Sequence, residues 1–168
     1  MKQEEKDSSW FREIFNEHYK YLRNFIYYLS GDLELTDDLT QDVFLHLWEE
    51  QEKIHRETVK SYLFTVAKNL YFKHHRKKNT HLNFTSSLLN EQDNESPEFL
   101  LELKEFDRKL QDAIAEIPDK TRAIFLMSRI DNMTYAEIAE RMQLSTKAVE
   151  KHMSKAMKML QQKVDRKL

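Results

Sequence analysis

Trp10, Phe11, Ile14, Phe15, Leu22, Phe25, Ile26 and Leu29 recur at the three- and four-residue spacing of one helix face. They predict a long amphipathic helix that ends near Gly31. Thr36, followed by Asp37 and Asp38, reads as the next helix start, because a hydroxyl caps free amides and carboxylates complement the positive end of the dipole. Leu39, Val43, Phe44, Leu47 and Trp48 carry that second helix. After a polar stretch around residues 52–58, Tyr62, Leu63, Val66, Ala67, Leu70 and Tyr71 mark a third, which runs into His74, His75, Arg76, Lys77 and Lys78. Three helices with a shared apolar face make a small bundle.

Residues 79–95 lose this periodicity and are rich in Asn, Ser, Thr and acids, as a linker would be. Ser96, Pro97 and Glu98 restart a helix with a cap, a proline at the first helical position and an acid in the first turn. Phe99, Leu100, Leu103, Phe106, Leu110, Ala113, Ile114 and Ile117 form its inner face, and residues 120–130 carry another helix burying Ile124, Phe125 and Met127. Thr134 and Glu137 are spaced as a capping box, opening a short helix over residues 135–142 with Ile138, Ala139 and Met142 inward. Leu144 continues the core through a turn, and Ser145 caps a last helix whose inner face is Ala148, Val149, Met153, Ala156 and Leu160. Helix, short turn and helix at this spacing, with small Ala139 at the crossing, read as a helix-turn-helix. Gln143 stands where such turns often use glycine, so a left-handed residue there carries a steric cost.

Composition narrows the class further. One glycine and two prolines in 168 residues exclude glycine-rich phosphate loops, dinucleotide-binding turns and many-stranded sandwiches. The expectation is all-α: two small helical domains, residues 1–78 and 96–168, joined by a flexible acidic linker over residues 79–95. With no cysteine there is no disulfide framework, thiolate metal site or cysteine nucleophile. The longest apolar runs, such as residues 25–29, are far below the roughly 18 to 20 residues of a bilayer span, so a soluble cytoplasmic protein without membrane insertion is expected.

The net charge of −2 conceals strong segregation. Residues 32–52 hold eight acids and no Lys or Arg, whereas Lys68, Lys73, Arg76, Lys77 and Lys78 face no acid across residues 68–78. Residues 91–105 are acidic again, and residues 145–168 carry seven Lys or Arg against Glu150 and Asp165. On the last helix Ser145, Thr146, Lys147, Glu150, Lys151, Ser154 and Lys155 point away from the apolar face, as groups reading base edges and phosphates in a major groove would. The alternative is an ordinary helical hairpin with a lysine-rich solvated face. On the third helix Tyr62, Tyr71 and Phe72 lie among Thr65, Lys68, Asn69, Lys73, His75 and Arg76, and rings interleaved with cations suit stacked, unpaired bases. A buried stripe with basic flanks accounts for the same pattern. Asp38, Gln41, Asp42, His46 and Glu49 on the acidic second helix would repel nucleic acid and suit a basic protein surface, or simply water. Adjacent His74 and His75 face different sides of a helix with no third ligand nearby, so neither metal nor other cofactor is expected. No carboxylate is paired with a nucleophile or glycine-rich loop, which leaves no catalytic residues and argues against an enzyme. A regulator acting alone as a DNA-binding dimer would need a sensory domain with parallel strands, and an adaptor binding only protein would leave Lys147, Lys151 and Lys155 idle.

Residues 38–48 (DLTQDVFLHLW), residues 61–70 (SYLFTVAKNL) and the terminal helix-turn-helix with Ile117-Pro118 before it together resemble the extracytoplasmic-function subfamily of the sigma-70 family of bacterial sigma factors, over nearly all of the chain. The resemblance implies a sigma-2-type three-helix bundle and a sigma-4-type helix-turn-helix bundle that bind core RNA polymerase and direct it to promoter DNA. Asp38, Gln41, Asp42, Leu45 and Glu49, in the neighbourhood of Trp48, would dock on the clamp coiled coil. Ser61, Tyr62, Thr65, Lys68, Asn69, Phe72, His75 and Arg76, with the loop of residues 54–60, would melt and capture the single-stranded minus-10 element, Asn69 lying at a flipped-base pocket. Ser145, Thr146, Lys147, Glu150, Lys151, Ser154 and Lys155 would read the minus-35 element as duplex, while the earlier helices of that domain touch the polymerase flap. The linker would run toward the RNA exit path, and an anti-sigma factor would be the regulatory partner.

Overall fold

In a computed structural model, residues 2–75 and 97–165 are described, with side chains for residues 8–75, 105 and 107–163. The linker expected over residues 79–95, Arg76 and the cap at Ser96 lie outside the described residues. The order is α1 (Lys2–Ser30), α2 (Leu33–Glu50), a single 3-10 turn (Gln51–Lys53), α3 (Val59–His75), α4 (Pro97–Ala115), α5 (Asp119–Ile130), α6 (Tyr135–Met142) and α7 (Thr146–Asp165). Among the described residues every regular element is helical, and no helix is long and apolar enough to cross a membrane.

The first turn is sharper than its pattern predicts. Gly31 ends α1 at φ 70°, a conformation that costs a residue with a Cβ but not glycine. Asp32 then caps α2 at once, its carboxylate accepting from the Leu35 amide at 3.1 Å. Thr36 is therefore not the cap. It is buried one turn inside α2, where its hydroxyl donates to the Asp32 carbonyl at 2.6 Å, and Thr40 repeats the arrangement on the Thr36 carbonyl. Phe25, Leu39, Val43, Leu47, Leu63, Phe64 and Ala67 fill the space between α1, α2 and α3, with Phe25 and Phe64 edge to face at 5.1 Å.

The second bundle is built on α5, which is buried along Thr121, Arg122, Ala123, Ile124, Phe125, Leu126 and Met127. Ile138 and Ala139 of α6 and Val149, Met153 and Ala156 of α7 close it. The Thr134 and Glu137 capping box forms with both reciprocal bonds. Gln143 adopts the left-handed conformation, φ 54° and ψ 47°, and the Leu144 amide reaches back to the Ala139 carbonyl at 2.9 Å. Ser145 caps α7 by accepting from the Ala148 amide at 3.1 Å. The helix-turn-helix thus closes with a glutamine in the glycine position, bearing the strain that position imposes.

The two bundles are in contact. Helix α1 packs on α5 as well as on α2 and α3, and the buried apolar residues of both bundles form one continuous cluster. Helix α4 lies against α1, where the Tyr28 hydroxyl donates to Asp107 at 3.1 Å and the Gln111 amide to the Tyr27 oxygen at 3.1 Å.

Gln143→Gly is expected to stabilise the helix-turn-helix by about 0.5–1 kcal/mol, the left-handed penalty less the entropy of a freer unfolded chain. A higher urea midpoint at unchanged slope is the expected reading; an unchanged or lower midpoint would show that Gln143 bears no strain.

Candidate nucleic-acid and polymerase interfaces

The outer face of α7 is an open polar surface of the second bundle. Ser145, Thr146, Lys147, Glu150, Lys151, Ser154 and Lys155 are all exposed, while Val149, Met153 and Ala156 on the opposite face are buried. Of the inner face read from periodicity, Val149, Met153 and Ala156 are buried, while Ala148 and Leu160 are half-buried. His152 sits between these faces, with Thr121 Oγ1 2.8 Å from its Nδ1. Burial, and then the cations Lys120, Lys155 and Lys151, hold the imidazole below its ordinary pKa. The same positive field would attract a phosphate backbone.

On α2, Asp38, Gln41, Asp42, Leu45 and Glu49 are exposed as a single band. Leu45 is 56% exposed and Trp48 44%, unusual for large apolar side chains outside an interface. They border a groove of about 1000 Å³ between α1 and α2, walled by Phe11, Phe15, Tyr19 and Phe44. Its rings pack tightly: Phe11 and Trp48 meet edge to face at 5.2 Å, Phe15 and Tyr19 stack at 4.8 Å, and Phe15 lies 4.8 Å from Phe44. Arg23 pairs with Asp37 at 2.8 Å beside the groove. An apolar trough rimmed by acids can hold a helix whose own surface is apolar in the middle and basic at the edges. The α1 side of this groove is missed when only charge is followed along the chain, since Phe11 and Phe15 look like ordinary core positions.

The third surface, on α3, is unlike the other two. Asn69 and Lys73 are exposed, and Phe72 is half-buried. Ser61, Tyr62 and Thr65 are also half-buried; the Thr65 hydroxyl bonds the Ser61 carbonyl within the helix, and the Tyr62 hydroxyl reaches the His46 carbonyl at 3.4 Å. Tyr71 belongs to the core, 1% exposed, so of the three rings it is the one that cannot meet a base. Lys68 donates to the Arg141 carbonyl at 2.9 Å, and burial followed by repulsion from Lys120 holds its ammonium below the usual lysine range. His75 lies 3.0 Å from Asp119. A cleft of about 660 Å³ opens between the bundles where Lys68, Asn69, Phe72 and Lys73 face Lys120, Met142 and Gln143. Among the described residues no group of three His, Cys, Asp or Glu gathers as metal ligands.

Two junction residues escaped the sequence pattern. Arg122, 1% exposed, and Asp131, 3% exposed, are buried charges that no local spacing announces. Asp131 takes Lys60 on Oδ1 and on its main-chain oxygen, both at 2.9 Å, while its Oδ2 has no partner among the described residues.

Two family models match the chain, sigma-70 region 2 over residues 14–80 and sigma-70 region 4 over residues 107–160. The chain is 27% identical over 149 residues to the ferric citrate uptake sigma factor FecI of Escherichia coli, covering 87% of this chain and 86% of that one. It is 24% identical over 136 residues to the ECF RNA polymerase sigma factor SigM of Bacillus subtilis, covering 79% and 82%. The sigma factor RpoE of Bartonella quintana, solved in complex with the anti-sigma factor NepR, shares the fold at a TM-score of 0.71 and 20% identity, over 92% of this chain and 96% of that one.

Burial outweighs the Lys60 ammonium and lifts the Asp131 carboxyl from 3.8 to about 6, with Glu137 adding to the rise. A carboxyl raised on folding contributes stability that is full below the unfolded value and is lost as pH rises through the folded one. Between pH 4 and 6 the wild type should therefore lose on the order of 2 kcal/mol from this group as pH increases. Asp131→Asn should flatten that limb in urea titrations, and a slope unchanged in the variant would remove Asp131 as its source.

Proposed function

Because the chain belongs to the extracytoplasmic-function branch of the sigma-70 family, RNA polymerase sigma factors that act in promoter recognition, we propose that its three surfaces divide that work between protein, unpaired strand and duplex. Residues 1–78 form the part that binds polymerase and the minus-10 element, residues 79–95 the tether, and residues 96–168 the part that binds the minus-35 element. The observation that carries this reading is the separation of charge by helix: α2 shows an acidic band beside an apolar groove, and α7 shows a basic row on a capped helix-turn-helix.

Asp38, Gln41, Asp42, Leu45 and Glu49 meet the clamp coiled coil of core polymerase, with Trp48 and the aromatic trough supplying the apolar contact. Acidic steering speeds encounter with a basic partner, and the buried rings supply the adhesion. On α7, Thr146, Lys147, Glu150 and Lys151 stand on the first turns, the part of a recognition helix that meets base edges, while Ser145, Ser154 and Lys155 take phosphates. Ser61, Tyr62, Thr65, Lys68, Asn69, Phe72, His75 and Arg76 serve the separated strand, where Asn69 has hydrogen-bonding capacity for a flipped base and Phe72 a ring to stack on it. The α4 and α5 side of the second bundle faces the flap. Sigma factors are transcription factors rather than enzymes, and no cofactor enters this scheme. The likeness to a sigma factor solved with its anti-sigma factor supports a regulatory partner of that kind, and a cytoplasmic site of action accords with all three surfaces.

Asp42→Lys should abolish co-purification with core polymerase while leaving the helical circular dichroism signal unchanged, since it inverts charge at an exposed position. Retained co-purification would remove α2 from the interface. Lys147→Ala or Lys151→Ala should weaken minus-35-dependent transcription by about 1–3 kcal/mol of binding, relaxing base preference if the side chain reads a base and lowering the salt slope if it meets a phosphate. Unchanged output from both variants would take the reading role away from α7.

A further inference from the structure

Helix α7 meets α5 through a polar contact as well as through its apolar stripe. The His152 imidazole is half-buried, and its Nδ1 lies 2.8 Å from Oγ1 of Thr121, a residue only 2% exposed. A hydroxyl can donate or accept, so Thr121 holds the ring in either charge state: it donates to Nδ1 of the neutral imidazole and accepts from Nδ1–H of the protonated one. Nε2 has no hydrogen-bond partner among the described residues. With Thr121 as donor, Nε2 carries the proton of the neutral ring and is the atom left to meet a ligand.

Three lysines act on this ring, Lys120 at the start of α5 and Lys151 and Lys155 of α7 itself. All three are exposed, and among the described residues none has a carboxylate within ion-pair distance. The acids close to them in sequence are engaged or turned away. Asp119 is held by Arg122 and His75, and Glu150, two residues before His152, projects from another side of the helix. Helices α4 and α6 also pack on α7, and no charge of theirs acts on the ring. Burial and these ammonium groups keep the imidazole below its ordinary pKa, and Lys120 depresses Lys68 of α3 in the same sense. Like charges gathered without a counterion gain most when an anion enters among them.

We propose that Lys120 and His152, with Lys151 and Lys155, form a phosphate seat at the edge where α5 meets α7, and that duplex DNA entering it is bound together with a proton on His152. The inference rests on the reading of α7 as the duplex-binding helix, and it adds to that surface a residue of α5, which precedes the helix-turn-helix. A phosphodiester among the three ammonium groups favours the charged imidazole. Nδ1 then takes a proton from solvent, Thr121 turns from donor to acceptor, and Nε2–H donates to a phosphate oxygen as a charged group. Each duplex bound takes up one proton and has one more of its phosphates neutralised than it has at high pH.

The test is anisotropy of a fluorescein-labelled, random-sequence duplex DNA 20-mer titrated with the full-length protein. Between pH 8 and pH 6 wild type should gain about tenfold more affinity than His152→Gln, which cannot titrate, and the difference removes the chain's other histidines. Over the same interval its slope of log affinity against log salt should steepen by about 0.9 more than that of the variant, the signature of one extra phosphate. Lys120→Gln, at an exposed position, should lower that slope by about 0.9 at both pH values. In isotope-labelled wild type the His152 imidazole resonance, assigned through the backbone, should titrate below the ordinary histidine range and move to higher pH when the duplex binds, a readout that stands even if His152→Gln loses helicity. Equal pH gains in wild type and a folded His152→Gln, or a titration that the duplex leaves unmoved, would overturn the proton linkage. A Lys120→Gln slope equal to that of wild type would overturn the seat. Absence of duplex binding at either pH would strike the reading of α7 itself, and the inference with it.

Discussion

A guanidinium with almost no access to water has to be fully paired, and Arg122 finds its partners only where three helices converge. The end of α1, the face of α3 and the start of α5 must therefore meet at one point. Asp119 supplies the countercharge and is shared with His75, so the same carboxylate ties α5 to the last turn of α3. Around this point the apolar cores of the two bundles merge, and the cleft beside it takes its shape from the approach of α6 to α3.

That junction bears on the accessibility of the polar faces of α2, α3 and α7. Helix α7 packs on α5 and α6 through one apolar stripe, which leaves its cationic row outside. Helix α2 packs on α1 and α3, its acids are exposed, and the aromatic trough is lined by α1 and α2 alone. Of these three helices α3 also reaches the boundary, so its lysines are divided between solvent and the acceptors of α5 and α6. Electrostatics follow from this geometry: Lys68 loses basicity through burial and the proximity of Lys120, and Asp131 becomes a weak acid despite Lys60.

For a sigma factor the arrangement has an economy of its own. Acidic residues on α2 form one exposed band, and Asp131 at the bundle boundary pairs with Lys60 of α3. The rule that a desolvated charge needs a counterpart governs this boundary contact. Side chains of α3 belong both to the core and to the bundle boundary, so variants there will change stability.

Periodicity and capping chemistry were enough to read each helix, because they are local: the stripe from Trp10 to Leu29, the Thr134–Glu137 box and the alternation of Val149, Met153 and Ala156 with Lys147, Lys151 and Lys155 all lie within a few turns of chain. They also sufficed to read the charge of each outer face and the family resemblance. The start of α2 was misplaced by one turn because Gly31 and Asp32 together make a tighter junction than Thr36 would, a competition between two valid caps that only packing resolves. The trough on α1 and α2 needed two helices to be laid side by side. Arg122, Asp131 and the occupation of Lys60 and Lys68 were beyond the sequence altogether, because their partners lie between 51 and 93 residues away where they cross the boundary. A charge declares its role through what faces it, and that is decided only when distant segments are brought together and water is removed from between them.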